Sequence, residues 1–268
     1  MMQVEYDTIR VETDPRGVAT LSLARPEKHN AMSAQMLVEL TEAVGQLGND
    51  PAVRVVVLTG IGASFCAGGD LDWMRQQMAA DAPTRAREAM KLATMLQALN
   101  TCPKPVIGRV QGNAFGGGIG LISVCDVAIA SDGAKFGLTE TRLGLIPATI
   151  GPYVAAQMGE AKARRVFMSA RIFEAQEAVV LDLLARAVPE ADLDAAVEAE
   201  VKPYLAAAPG AVAEAKALLR RLGPVIDEAA IADTIAALTR RWESAEAVEG
   251  IAAFFEKRKA RWGEVPKS

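Results

Sequence analysis

Apolar and polar residues alternate in two short runs near the start of the chain, Val4 to Val11 and Val18 to Ala24. That period puts successive side chains on opposite faces of a strand. Thr13-Asp-Pro-Arg-Gly17 between them has turn chemistry, so a hairpin is expected. From Ala34 the period lengthens. Met36, Leu37, Leu40, Val44 and Leu47 share one helical face, and Ser33 stands where an N-cap belongs, which predicts a helix from Ala34 to about Leu47. Val53 to Thr59 is a β-branched apolar run, the pattern of a strand buried on both faces. Gly60 to Asp70 reads as a glycine-bearing loop. Pro83 to Leu99 predicts a long helix. Pro105 to Val110 and Val124 to Ala130 are strand-like, with a glycine run and a short apolar helix between them. Strands alternating with helices argue for an α/β fold with crossover connections.

The texture changes past Pro189, where alanine and charged residues dominate and Gly210, Gly223 and Gly250 punctuate the chain. Four successive helices are expected, over 190–206, 210–222, 225–240 and 243–260. The chain therefore divides into a core, 1–189, and a helical region, 190–268, that packs on the core or on another subunit. No repeat of solenoid period is evident.

Composition narrows the function. Its 268 residues can bury a full core, and 51% hydrophobic with 23% charged residues is ordinary for a globular protein. A net charge of −4 leaves no basic footprint, so nucleic acid is not an expected partner. His29 is the single histidine, which removes His-rich metal sites and a Ser-His-Asp triad from the candidates. Cys66, Cys102 and Cys125 lack metal-ligand spacing and suit buried free thiols in a reducing, cytoplasmic setting. The first seven residues do not read as a secretory signal, and the most apolar stretch, Ala114 to Ala130, is too short to span a bilayer.

Two glycine loops carry the candidate chemistry. Gly116-Gly117-Gly118-Ile119-Gly120 follows one strand and opens a helix. Read by itself it is either a tight packing turn or a place where bare N–H groups meet an anionic oxygen. Ser64-Phe-Cys-Ala-Gly-Gly-Asp-Leu71 follows another strand, with Asp70 placed to cap a helix starting at Leu71 and Ala67 offering its N–H. Two such loops can aim two donors at one oxygen, as enolate chemistry on a thioester requires. The spacing is not that of a dinucleotide loop. Glu140, among Phe136, Leu138 and Leu143, is the candidate base; its competing reading is a surface glutamate paired with Arg142. Ser64 has no evident base, and Tyr153 and Thr141 read as pocket-lining or simply packed.

Five stretches in order resemble the crotonase superfamily, the enoyl-CoA hydratase/isomerase family. They are Arg25-Pro-x-x-x-Asn30-Ala31, Phe65-Cys-Ala-Gly-Gly-Asp70-Leu71, Gly112-Asn-Ala-Phe-Gly-Gly-Gly118 with Cys125-Asp126, Phe136-Gly-x-x-Glu140 through Pro147, and Glu249-Gly250 through Arg258. The resemblance implies a spiral of ββα units with a helical C-terminal trimerisation region, assembled as a homotrimer or a dimer of trimers. It implies an acyl-CoA substrate, with coenzyme A part of that substrate and no separate cofactor or metal. Ala67 and Gly117 match the oxyanion-hole donors. Lys28, Ala67, Gly68, Gly69, Asp70, Leu71, Gly116 and Pro147 match walls of the substrate site, and Phe254 and Lys257 match positions that reach the coenzyme A of a neighbouring subunit.

One departure stands out. Family hydratases with two catalytic glutamates carry the first where this chain has Gly120; the second matches Glu140. Glu140 alone can shuttle one proton for hydration. A one-base site also suits moving a double bond between C3 and C2, and a binding-only member is a third reading. The text around Gly120 and Gly144-Leu-Ile-Pro-Ala148 is similar to bacterial hydratases of the methylglutaconyl-CoA type, from leucine or acyclic-terpene breakdown, which makes a hydratase the first expectation. Space at Gly120 is expected to admit a branched or carboxylated acyl chain.

Overall fold

The structure, a computed structural model, describes residues 5–263. Val4, the expected start of the first strand, and 264–268, the end of the expected helical region, lie outside them. Strands β1 (Ile9–Thr13) and β2 (Val18–Leu23) form the expected antiparallel hairpin. Its turn closes because the Asp14 carboxylate accepts from the N–H groups of Arg16 and Val18 at 2.8 and 3.0 Å. Helix α1 (Ala34–Asn49) starts where Ser33 accepts the Met36 N–H.

From here the chain repeats a unit. One strand enters a first sheet, a short strand enters a second, and helical chain follows. The units are β3 (Val55–Gly60) with β4 (Ser64–Cys66), α2 (Leu71–Ala79) and α3 (Ala82–Thr101); β5 (Val106–Val110) with β6 (Asn113–Phe115) and α4 (Gly117–Ser123); and β7 (Val127–Ser131) with β8 (Lys135–Gly137) and α5 (Gly151–Phe167). Then come β9 (Ile172–Glu174), α6 (Ala175–Val180) and β10 (Arg186–Val188). The sheets run β1-β2-β3-β5-β7-β10 and β4-β6-β8-β9. This is the ββα spiral. It is a structural repeat that the sequence conceals, because α3 makes one unit far longer than its neighbours.

Every strand of the second sheet spans three residues. That is too short to show a period of two, so β4 falls inside the expected loop over Gly60 to Asp70. The strand expected from Val124 starts at Val127 instead. Val124 ends α4, and Asp126 makes the turn, donating its N–H to Val106 O at 2.7 Å while its carboxylate accepts the Val106 N–H.

β3 is buried on both faces, as its composition predicts. Val56 and Leu58 face the main core with Leu21, Met36, Leu40 and Leu96. Val55 and Val57 face the other way and pack, with Ile107 and Ile129, under Leu193, Val197 and Val201 of α7 (Leu193–Ala206). Beyond it lie α8 (Pro209–Leu222), α9 (Glu228–Trp242) and α10 (Ala245–Phe255). Lys216 of α8 reaches the Asp126 carboxylate at 2.7 Å. Ile235 of α9 packs on Ala89 and Ala93 of α3. α10 lies on the turn at Glu140–Leu143 of its own chain, where Gly250 and Leu143 meet backbone to backbone.

Candidate active site

β4, β6 and β8 are parallel neighbours, with Cys66 beside Ala114 and Phe115 beside Gly137. Three loops therefore leave the same edge: the Ala67–Asp70 loop after β4, the glycine run after β6, and the segment carrying Glu140 after β8. They open on a largely apolar cavity of about 440 Å³, whose walls include Trp73, Trp242, Leu238 and Phe254. Ligand sites at the carboxyl ends of parallel strands are a general consequence of such topology.

The first loop corrects one expectation. The N–H of Ala67 is spent on His29 O at 3.0 Å. Met32 forms a parallel bridge with Gly69, in which the Met32 N–H binds Gly68 O and the Asp70 N–H binds Met32 O. That pattern uses the neighbours of Gly69 and turns its own N–H away from Met32. Gly69 lines the cavity, and among the described residues its N–H has no acceptor. The free donor of this loop is Gly69, not Ala67, because direction alternates along an extended backbone. Asp70 caps α2 through the N–H groups of Asp72 and Trp73 and pairs with Arg25 at 2.9 Å. Burial opposes its charge, yet these partners hold its carboxyl below the usual range. Asp70 is thus consumed by the scaffold and does not line the cavity.

In the second loop each glycine has its own cause. Gly116 takes φ +50°, and a Cβ there would stand 3.0 Å from Glu140 Oε1. A Cβ on Gly117 would run into the Met32 methyl, and one on Gly118 would stand 2.6 Å from Cys66 O. Gly117 opens α4, so its N–H has no acceptor within the helix, and the residue lines the cavity. Gly120 departs from expectation. It is buried within α4 and forms no part of the cavity wall; a Cβ there would stand 2.5 Å from Ile150 Cγ2. No space is open at Gly120; Ile150 fills it and is itself a wall of the cavity.

Glu140 begins a short turn closed by Gly144, which adopts φ +70°. One carboxylate oxygen, Oε2, is buried without a partner, and burial pushes the carboxyl up to about 7. Oε2 has no partner and burial, not Arg142, sets the shift of the carboxyl, so the reading of a surface glutamate paired with Arg142 is overturned. Leu71, Gly68, Gly116, Pro147 and Phe254 line the same cavity. Phe254 does so in its own chain, because α10 folds back over the Glu140 turn. Lys28 lies outside the cavity wall, 3.6 Å from Asp72. Lys257 follows α10 in a positive-φ turn and does not line the cavity either. Tyr153 is packed in the core with its hydroxyl on Gln97. Ser64 meets His29 Nδ1 at 3.1 Å, but this pair sits away from the cavity.

The sequence pattern described as Enoyl-CoA hydratase/isomerase matches residues 13–265. The chain belongs to this family. Among solved structures, an enoyl-CoA hydratase from Shewanella pealeana is 38% identical, covering 96% of this chain and 97% of that one, with a TM-score of 0.79. An enoyl-CoA hydratase from Mycobacterium smegmatis is 35% identical, covering 96% and 100%, with a TM-score of 0.78. The enoyl-CoA hydratase AKT6-1 of Alternaria alternata is 34% identical over 206 residues, 76% of this chain and 67% of the relative. As an enoyl-CoA hydratase/isomerase family member, the chain has a crotonase fold with a helical C-terminal region, and the family acts on acyl-CoA thioesters. Nothing in the sequence marks Thr149, Ile150 or Met32 as walls of the site. Met32 and the adjacent pair Thr149 and Ile150 come from distant segments of the chain and meet only in the fold.

Proposed function

We propose that the protein hydrates the 2,3 double bond of an enoyl-CoA thioester. The observation that carries this reading is the Glu140 carboxyl, with its Oε2 buried and unpartnered and its titration raised by burial to about 7, set in a cavity shared with two free backbone donors, Gly69 and Gly117. Glu140 takes a proton from water as the water oxygen bonds to C3. The electrons of the double bond move to the thioester oxygen, where the two N–H groups hold the enolate. Glu140 then returns the proton to C2 and the thioester re-forms. A carboxyl titrating near neutrality suits both halves of that shuttle. Isomerisation of a 3-enoyl-CoA is the second reading, favoured by Ile150 in the place of a second acid, since moving a proton between C4 and C2 needs one base.

The apolar walls suit an acyl chain, and a branched, methylglutaconyl-type chain remains the preferred candidate on the resemblance around Gly120 and Pro147. Leu218, Leu219 and Leu222 of α8 are exposed apolar residues that suit a contact between copies of the chain, which supports a trimeric or hexameric assembly, and the buried free thiols of Cys66, Cys102 and Cys125 suit a cytoplasmic setting. One panel tests the activity: crotonyl-CoA, 3-methylglutaconyl-CoA and a 3-enoyl-CoA, each followed by mass and by absorbance, which reports the conjugated double bond. A gain of water on either 2-enoyl substrate is expected. Isomerisation of the 3-enoyl-CoA at unchanged mass, with no hydration of the others, would overturn the hydratase reading.

A further inference from the structure

Thr149 is a buried hydroxyl with no visible reason to be one. It is 4% exposed, its Oγ1 finds no hydrogen-bond partner, and the residue lines the cavity that holds Glu140. Buried hydroxyls are almost always paired, and an orphan calls for an occupant that supplies the missing bond. Among the residues of this cavity wall, Glu140 Oε2 and Thr149 Oγ1 are the two side-chain oxygens left buried without a partner. Their neighbours on the same wall, Leu145, Ile146, Ala148 and Ile150, are apolar. Ile150, adjacent to Thr149 in the chain, fills the space that a side chain at Gly120 would need.

We infer that Thr149 holds the water that attacks C3, doing by hydrogen bond what a second carboxylate does in sites that have two. This rests on the hydratase reading above. With a single carboxylate in the cavity, water needs a second contact to be aimed, because Glu140 fixes only one of its hydrogens. A hydroxyl can accept the other or donate to the water oxygen. Thr149 takes no proton in the overall step. The proton leaves water for Glu140 and returns to C2, and the hydroxyl fixes the direction of attack.

The test separates water addition from proton transfer. Thr149→Val keeps the shape and removes the hydroxyl; Thr149→Ser keeps the hydroxyl. Each variant is assayed for hydration of whichever of crotonyl-CoA or 3-methylglutaconyl-CoA the wild type hydrates. Each is also assayed for exchange of the α-proton of butanoyl-CoA in deuterium oxide, which uses Glu140 and the N–H pair but no attacking water. Thr149→Val is expected to lower kcat for hydration about 10- to 100-fold, leave exchange within about twofold, and melt no lower than wild type. Thr149→Ser is expected to keep most of the hydration rate. Hydration within about twofold of wild type in Thr149→Val, or matched loss of hydration and exchange, would overturn the assignment. A wild type that exchanges but hydrates neither substrate would overturn the hydratase reading instead, and Thr149's role with it.

Discussion

Ile150 stands where a side chain on residue 120 would have to go. A Cβ on Gly120 would lie 2.5 Å from Ile150 Cγ2 and 3.0 Å from its Cβ, with Leu96 behind at 3.6 Å. Ile150 is β-branched and buried, so it cannot swing aside as a long flexible chain would. Gly120→Glu alone is therefore expected to cost about 1–3 kcal/mol of stability through overpacking and to lower activity. Gly120→Glu with Ile150→Ala should recover much of that stability. Urea unfolding of the single and double variants checks this; equal stability of Gly120→Glu and wild type would refute it.

Glu140 links activity and stability to pH. Burial raises its carboxyl from an ordinary 4.5 to about 7, so between those values the folded protein holds a proton that the unfolded chain has lost. The protonated group's contribution is present in full below about 4.5 and is lost as pH rises through about 7. Glu140→Gln should be more stable than wild type at pH 8, by at most roughly 3 kcal/mol, with the difference vanishing near pH 4. Denaturant titrations at the two pH values measure it.

The same group sets the rate. The carboxylate must accept the first proton, so kcat/KM for hydration should rise about tenfold per pH unit below about 7 and level off above it. Glu140→Gln should abolish turnover while acyl-CoA still binds. A flat profile between pH 5 and 8, or wild-type-like turnover in the variant, would remove Glu140 from the mechanism.

The donor pair is testable at Gly117. Proline is tolerated at the first position of a helix and lacks an N–H. Its ring would press on the Met32 methyl, so Met32→Ala is the background. In that background Gly117→Pro is expected to lower kcat about 10²- to 10³-fold. Cys66→Ser, whose side chain is buried away from the cavity, should have a far smaller effect. Comparable mild losses in both would argue against a backbone oxyanion hole.

Two glycines in helices should respond in opposite ways. Gly45 of α1 meets nothing within 4 Å, and Gly45→Ala should stabilise the protein by about 0.5–1 kcal/mol. Gly250 of α10 lies against the Leu143 carbonyl carbon, 2.5 Å from where a Cβ would stand. Backbone cannot yield as a side chain can, so Gly250→Ala should push α10 off the Glu140 turn and raise KM for acyl-CoA. Thermal melts and steady-state kinetics of both variants distinguish the two sites.

Much of the fold was written locally. Ser33, Asp70, Asp227 and Ser244 cap helices because a short polar side chain can satisfy an N–H within three residues of itself. The double burial of β3 showed in its unbroken apolar run, and the four C-terminal helices in their spacing. The family's five stretches, and Glu140 among them, were equally legible, since loop chemistry needs particular residues at particular positions. The second sheet was not, because strands of three residues have no period to read. The sequence pointed to Ala67 as donor where the fold offers Gly69, because the outcome follows from the register of one bridge to Met32, which turns alternate N–H groups in opposite directions. The filling of the space at Gly120, the orphan hydroxyl of Thr149 and the return of Phe254 to its own chain's cavity were likewise decided by tertiary structure. Each depends on which side chains, distant or adjacent in sequence, are forced into one volume.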